Sequence, residues 1–320
     1  MIMINCIIPT TREDYLRMRR DIALLIDYLQ VDKIVFIAPE DTKALVLEDQ
    51  KAFDQITFLW EEDLLPKEGV WEAYRKCKER LYGNEEKMRK SSAGWYYQQF
   101  LKLSYSDICD DKYYLSWDAD TIPLHRLDMI SPEGNPYFDV KKEWQESYFN
   151  AIQALFGFGK KIGRSFITEH MLFDVDLVKE MLSEILTISK SEKKYYEVIF
   201  EKIDNLALGF SEFETYGTWV AMRHQDRYRI RTWKSFRNAN FFIERKDVVG
   251  EDIEWLAKCY DAASFEKYQK TVAELQEVFK MPRYREKLNA EQFYRTILES
   301  GMMGDYRDGC IVTEYGKFPV

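Results

Sequence analysis

Hydrophobic and polar residues in the first 60 positions follow two alternating periods. Short apolar runs, rich in β-branched and aromatic residues, span Ile2 to Ile8, Lys33 to Ala38 and Ile56 to Trp60. Between these runs, apolar residues recur at helical spacing from residue 15 to residue 29, and a second helical stretch spans 43–53. Because strands that alternate with helices form parallel sheets with helices on both faces, the pattern predicts an α/β fold.

A later apolar run ends in two carboxylates. Residues 113–117 read Tyr-Tyr-Leu-Ser-Trp, which predicts a buried strand, and Asp118 and Asp120 follow it. Side chains at positions i and i+2 of a strand share one face, so the two carboxylates converge if the chain stays extended. Carboxylate oxygens suit a hard divalent cation such as Mg²⁺ or Mn²⁺, which can in turn hold a diphosphate. The sequence therefore predicts a metal and diphosphate site at the end of this strand.

A second acidic pair, Asp174 and Asp176, has the same spacing and a different setting. It precedes an amphipathic helical stretch, where aspartate is a favoured N-cap and complements the helix dipole. This second pair therefore predicts a helix cap. The first pair is followed by Thr-Ile-Pro, which cannot continue as a regular helix, and a surface turn is its structural alternative.

Polar residues also follow the first predicted strand. In parallel sheets, ligands bind beyond the carboxyl ends of the strands. Thr10, Thr11 and Arg12 stand at such an end, so we expect them at the same edge of the sheet as the first acidic pair. Thr11 and Asp14 also have the spacing of a capping box, and the two roles can coexist.

Composition narrows the class of protein. Of the 320 residues, 46% are hydrophobic and 15% are aromatic, which predicts a folded globular chain. The net charge of −9 argues against a nucleic-acid partner, because phosphate backbones need a basic face.

The five scattered cysteines indicate a reducing compartment. No stretch approaches the roughly 18 apolar residues of a membrane span, and residues 1–10 lack the features of a signal peptide. We expect a cytoplasmic protein; peripheral membrane contact and oligomeric state stay open.

The C-terminal part has a different pattern. From about Val249 the chain becomes rich in Glu and Lys, with an apolar stripe at helical spacing that includes Trp255 and Phe279. We expect one α/β domain over residues 1–248 and a helical extension over 249–320. Packing on the domain, a dimer contact and a membrane contact are all consistent with the stripe.

Four blocks of the chain together resemble GT-A-type glycosyltransferases. They are Gly94 to Leu103, Ser116 to Asp120, Thr168 to Phe173 and Ser211 to Gly217. More narrowly, they resemble a bacterial group of glycosyltransferase-like proteins, many of which belong to capsule or surface-polysaccharide clusters. The resemblance covers roughly residues 1 to 245. It implies a GT-A-like domain with a mostly parallel central sheet flanked by helices.

The resemblance also implies an activity. A sugar would move from a nucleoside-diphosphate-sugar, with UDP-sugars favoured, to a hydroxyl of a saccharide or lipid-linked acceptor. Asp118 and Asp120 would anchor Mn²⁺ or Mg²⁺ against the two phosphates. His170 would complete the metal shell or line the acceptor side, and His224 is the other histidine in question; a hydrogen-bonded, half-buried histidine is the structural alternative. The residues that would hold the donor are Thr10, Thr11, Arg12, Gln98, Gln99, Lys102, Trp117 and Asp118.

Inverting sugar transfer needs a carboxylate that takes the proton of the acceptor hydroxyl. Glu212 and Glu214, with Ser211 as the helix cap, resemble the acidic element that supplies this base in many inverting GT-A enzymes. An acidic first helical turn, favoured by the helix dipole, is the structural alternative. Glu169 is the second candidate base. Inversion and retention both stay open.

Two rival functions remain. A nucleotidyltransferase shares the α/β layout and the metal, but usually has a glycine-rich basic loop after the first strand, where this chain has Pro-Thr-Thr-Arg. The other rival is a non-catalytic module that binds a nucleotide-sugar or a carbohydrate.

Overall fold

A computed structural model describes residues 4–83, 93–188 and 192–303, together with the backbone of 306–307, 310–313 and 316–319. The chain divides into two compact units. The first unit comprises Met1–Tyr15, Val31–Ala119 and Met129–Thr232, and the second comprises Leu16–Gln30, Asp120–Asp128 and Trp233–Val320. The expected domain boundary after residue 248 falls within the second unit. Residues 2 and 3 of the predicted first strand lie outside the described residues.

Strands and helices alternate through most of the described chain. The strands are β1 (Ile4–Pro9), β2 (Lys33–Ala38), β3 (Ile56–Trp60), β4 (Tyr113–Trp117), β5 (Thr121–Pro123), β6 (Tyr137–Val140), β7 (His170–Asp174), β8 (Arg229–Thr232), β9 (Ser235–Phe236), β10 (Ala262–Ser264), β11 (Tyr306–Arg307), β12 (Cys310–Thr313) and β13 (Gly316–Pro319). The α-helices are α1 (Arg12–Met18), α2 (Ile22–Leu29), α3 (Lys43–Gln50), α4 (Glu61–Leu64), α5 (Lys67–Tyr82), α6 (Ala93–Ser104), α7 (Glu146–Phe156), α8 (Val175–Thr187), α9 (Tyr195–Lys202), α10 (Glu212–Arg223), α11 (Ala239–Phe242), α12 (Gly250–Ala257), α13 (Ala273–Lys280), α14 (Pro282–Lys287) and α15 (Ala290–Glu299). Short 3₁₀ turns span Arg19–Asp21, Glu40–Thr42, Tyr105–Asp107 and Arg245–Asp247.

The first unit is built on a five-stranded sheet with the order β3-β2-β1-β4-β7. The pairs β2–β3, β1–β2 and β1–β4 are parallel, and β7 runs antiparallel to β4. The expected fold class, a mixed α/β fold with a mostly parallel central sheet, is therefore confirmed. Strands β2 and β3 lie on one side of β1, and β4 lies on the other side. The strand order therefore reverses between β1 and β4.

The core of the first unit explains why β4 reads as a continuous apolar run. All five residues of β4 are buried, as expected for a central strand that has helices on both faces. Its Tyr114 hydroxyl donates a hydrogen bond to the backbone carbonyl of Lys102 in α6 (2.8 Å). The ring of Tyr114 stacks on Phe173 of β7 with a centroid distance of 5.1 Å. The Tyr114 side chain thus links α6, through its hydroxyl group, to the strand that precedes the acidic pair.

Two further apolar runs, Ser165 to Phe173 and Tyr228 to Trp233, also predict strands, and the observed strands are shorter. The apolar run that begins at Ser165 becomes a strand only at His170, because a side chain engages the backbone before it: the Phe166 N–H donates to the Glu214 carboxylate (2.9 Å). The run from Tyr228 gives β8, which pairs with β6 in a separate two-stranded sheet. Proline and glycine residues predict an irregular segment from Thr121 to Arg164, but in the structure this segment contains β5, β6 and α7.

The second unit has a small sheet, β5-β10-β9, and a core of its own. The expected C-terminal helical segment is present as α12 to α15, although β10 interrupts it and β11 to β13 form a three-stranded sheet after it. The parts of the 249–320 stretch between and after these last strands lie outside the described residues. Within the described ranges, the helices are all too short or too polar to cross a bilayer.

Gly217, in the middle of α10, allows a close approach between the helix and Phe166. A Cβ atom at this position would lie 2.5 Å from the Phe166 Cγ atom, and the Phe166 side chain is fully buried. We expect Gly217→Ala to lower the free energy of unfolding by about 1–3 kcal/mol, measured by urea denaturation.

Gly250→Ala in α12 is the matched control, because a Cβ atom there meets nothing within 4 Å. We expect this variant to change the free energy of unfolding by less than about 0.5 kcal/mol. Equal losses in the two variants would contradict the close approach as the cause.

Candidate functional site

Asp118 lies at the carboxyl end of β4, directly after the last residue of the strand. Its backbone N–H donates a hydrogen bond to the Glu169 carbonyl (2.9 Å), and its side chain is 33% exposed. The adjacent strand β1 ends at Pro9, and the register pairs Ile7 with Ser116. Asp118 therefore lies at the carboxyl ends of β1 and β4, where the strand order reverses.

Lys102 of α6 brings two of the predicted site residues together. Its ammonium nitrogen lies 2.7 Å from Asp118 Oδ1 and 2.6 Å from Glu212 Oε1. It also lies 4.2 Å from the centroid of the Phe213 ring. Burial alone would lower the pKa of this ammonium group, but the charges of Asp118 and Glu212 outweigh burial and raise its pKa above the ordinary value. Lys102 is therefore a charged bridge between the end of β4 and the start of α10.

The start of α10 is fixed by two polar side chains. Ser211 accepts a hydrogen bond from the Glu214 N–H (3.3 Å), which confirms it as the helix cap. Gln99 Oε1 accepts a hydrogen bond from the Glu212 N–H (3.1 Å) and is buried. Gln98, the other glutamine of the predicted donor set, is exposed on α6. Gln99 thus positions Glu212 by accepting a hydrogen bond from the Glu212 backbone.

Glu214 is held by four donors. Its fully buried carboxylate accepts hydrogen bonds from the hydroxyl groups of Ser165 and Thr218 (both 2.7 Å) and from the Phe166 N–H, and it pairs with the ammonium group of Lys160. Burial lowers the pKa of Lys160 despite this partner. The geometry of Glu214 is that of an anchor between α10 and the segment before β7.

Glu169 is also paired with a lysine. Its Oε1 atom accepts a hydrogen bond from Lys141 Nζ (2.5 Å), and both side chains are buried. The three predicted candidates for the catalytic base, Glu169, Glu212 and Glu214, therefore each contact a lysine.

His170, the first residue of β7, is a buried, hydrogen-bonded histidine. Its Nε2 atom lies 2.8 Å from Asp139 Oδ2, and its ring centroid lies 5.2 Å from that of Trp117. Arg231 donates two further hydrogen bonds of 2.7 Å to the same carboxylate. Burial alone would raise the pKa of Asp139, but the bonds from Arg231 and His170 outweigh burial and hold the pKa below its usual value. A metal-binding role of His170 stays a prediction.

His224, the other histidine considered for the metal, lies at the opposite end of α10 from Glu212. Its Nε2 atom lies 3.2 Å from Glu180 Oε1. Twelve residues of α-helix separate the two ends by about 18 Å. His224 is therefore remote from the end of α10 that contacts Lys102.

The residues that follow β1 have mainly backbone contacts. The Thr10 N–H donates to the Ile37 carbonyl (2.9 Å), and Thr10 is buried. The Thr11 hydroxyl bonds both the N–H and the carboxylate of Asp14, so the predicted helix cap is confirmed. The guanidinium group of Arg12 donates to the Asp41 carbonyl. A donor-binding role for these residues stays a prediction.

The second predicted acidic pair is a helix cap. Asp174 Oδ1 accepts hydrogen bonds from the N–H groups of Asp176 (3.2 Å) and Leu177 (3.4 Å) at the start of α8. Arg227 donates to its other oxygen (2.7 Å). The predicted role of this second acidic pair as a helix cap is therefore confirmed.

Asp120 belongs to the second unit, where it has an acidic neighbour that the sequence did not suggest. Its carbonyl accepts a hydrogen bond from the Phe265 N–H (2.8 Å), next to the antiparallel pairing of β5 with β10. Glu266 follows directly, and its Oε1 atom lies 3.1 Å from the guanidinium group of Arg237. Burial, and then the negative charge of Asp120, raise the pKa of Glu266 to about 8.

The carboxylates have the chemistry that a hard cation requires. Across residues 4–83, 93–188 and 192–303, no three His, Cys, Asp or Glu side chains gather closely enough to hold a metal ion by themselves. Mg²⁺ in phosphate sites typically uses only one or two carboxylates, with water and substrate oxygens as the other ligands. In the first unit, the Asp118 carboxylate supplies such oxygens at the end of β4.

Residues 2–276 match the sequence profile of a described family. The chain belongs to DUF6492, a family of unknown function. Membership therefore assigns no activity. No curated protein matches the chain.

Several solved structures are similar to the chain at low identity. Mouse xyloside xylosyltransferase 1 in its apo form has 10% identity and a TM-score of 0.45, over 85% of this chain and 100% of that chain. The galactosyltransferase LgtC, in complex with donor and acceptor sugar analogues, has 12% identity and a TM-score of 0.43, over 89% and 100%. The apo form of the bifunctional glycosyltransferase WbbM has 13% identity and a TM-score of 0.46, over 84% and 46%. At these TM-scores, the similarity establishes no shared activity.

Glu214 and Lys160 form a pair whose charges balance each other in the interior. We expect Glu214→Gln to lower the free energy of unfolding by about 3–5 kcal/mol, because it leaves the buried ammonium group without its counter-charge. Urea denaturation measures the loss.

Glu184→Gln is the control, since the Glu184 side chain is 29% exposed and bonds to Arg223 and Trp219. Partly exposed ion pairs contribute about 1 kcal/mol or less. A loss in Glu214→Gln no larger than in this control would show that the buried pair does not anchor α10.

Proposed function

We propose that the chain transfers a sugar from a nucleoside-diphosphate-sugar to an acceptor hydroxyl and depends on a divalent cation. The observation that carries the proposal is the position of Asp118. It stands at the carboxyl ends of β1 and β4, where the strand order reverses, and this is the place at which open α/β sheets bind their ligands. The four sequence blocks that resemble GT-A-type glycosyltransferases support the same reaction.

The cation would be Mn²⁺ or Mg²⁺, with Asp118 and Asp120 as its ligands. One residue separates them, so their Cα atoms are at most about 7 Å apart by chain geometry alone. A further carboxyl group, that of Glu266, lies beside Asp120. A bound divalent cation acts as a Lewis acid that stabilises the charge growing on the departing diphosphate.

The chain's own residues would position the substrates. Thr10, Thr11 and Arg12 follow β1 and would contact the base and ribose of the donor. Glu169 and Glu212 are the proposed proton acceptors, because Glu214 is held by four donors.

The finer features of the proposal follow the resemblance. The donor would be a UDP-sugar, and the acceptor a saccharide or a lipid-linked saccharide. The reaction would belong to surface-polysaccharide synthesis, at the inner face of a membrane.

The test is release of nucleotide from UDP-, GDP- and CMP-sugars by the full chain, with and without Mn²⁺. We expect metal-dependent release from one nucleotide family. Asp118→Asn and Asp120→Asn should each reduce the rate at least about 100-fold, because they remove charge that stabilises the transition state.

Asp176→Asn is the matched control, since it alters the second acidic pair at an exposed position. It should leave the rate unchanged. Pyrophosphate release from a nucleoside triphosphate would instead select a nucleotidyltransferase, and binding of a nucleotide-sugar without turnover would select a binding module.

A further inference from the structure

One ammonium group serves two carboxylates at the end of β4. Lys102 Nζ lies at nearly equal distances from Asp118 and Glu212, 2.7 and 2.6 Å. The Lys102 side chain is only 4% exposed, so water has little access to its ammonium group. The three groups together carry a net charge of −1, and the position of the ammonium group decides how much of that charge Asp118 presents.

We propose that Glu212 sets the cation affinity of Asp118 by drawing Lys102 away from it. This inference rests on the proposed function, in which Asp118 is a ligand of the divalent cation. Glu212 is then a positioning residue, and this role does not require it to take up a proton.

Several features hold Glu212 in place and favour its negative charge beside Lys102. It is the first residue of α10, where the helix dipole favours a negative charge. Its N–H is held by the buried Gln99, and its side chain is 5% exposed. A carboxylate fixed in this way competes steadily for the ammonium group.

Asp118 differs in exposure. Its side chain is 33% exposed, so a cation from solvent can reach the carboxylate without local unfolding. Two positive charges on one carboxylate repel each other, so a cation binds Asp118 more tightly when the ammonium group can move toward Glu212. Without the charge of Glu212, Lys102 would stay on Asp118 and oppose the cation.

The experiment measures Mn²⁺ affinity by electron paramagnetic resonance of the free ion, using the full chain without substrate. Glu212→Gln should weaken Mn²⁺ binding on the order of tenfold, because the ammonium group is no longer shared. The double variant Lys102→Met with Glu212→Gln should restore at least the wild-type affinity, since it removes the competing charge. General damage to the site would not be repaired by a second substitution.

Glu169→Gln is the control for loss of a nearby negative charge. Glu169 is buried as Glu212 is, and its lysine partner is Lys141. We expect this variant to weaken Mn²⁺ binding less than Glu212→Gln does. The matching double variant, Lys141→Met with Glu169→Gln, should not exceed wild-type affinity.

The two possible failures give different results. Wild-type affinity in Glu212→Gln, or a double variant that binds no better than Glu212→Gln, overturns the inference. Absence of Mn²⁺ binding in the wild type, or binding that survives Asp118→Asn and Asp120→Asn, overturns the proposed cation site itself. Urea denaturation of each variant verifies that the protein is folded when the affinity is measured.

Discussion

The arrangement at the end of β4 depends on a lysine that is almost completely buried. Lys102 joins α6, the end of β4 and the start of α10 through contacts of 2.6 and 2.7 Å. A buried charge is costly unless it is paired, so the three elements must remain together for Lys102 to be stable. The ion pair thus fixes Asp118 and Glu212 relative to the sheet, and its geometry limits what either carboxylate can do.

The same constraint recurs at the other acidic candidates. Glu169 contacts Lys141, and Glu214 contacts Lys160, so both of these buried carboxylates have a lysine partner. These pairs anchor the segments around β7 and α10. Of the carboxylates near β4 that pair with lysines, Asp118 has the most exposed side chain. This exposure agrees with a role as the contact point for a ligand.

Local patterns in the sequence predicted the sheet and the acidic strand end. Apolar runs gave β2 and β3 at their observed bounds, and the spacing near Asp174 predicted a helix cap. The pairing of Lys102 with Glu212 joins residues 110 positions apart, and Glu266 lies near Asp120 only because β5 and β10 pair. Such contacts depend on tertiary structure, which no periodicity along the chain encodes. The helix α7 was missed because proline and glycine residues before it suggested an irregular segment.

The central claim is that Asp118 and Asp120 hold a divalent cation against a diphosphate. Diffraction at the manganese absorption edge, from crystals soaked with Mn²⁺ and UDP, tests it most directly. The account predicts an anomalous peak bonded to oxygens of both carboxylates and of the diphosphate. A fully bound UDP with no peak beside these two aspartates, or a peak held by other residues, would contradict it.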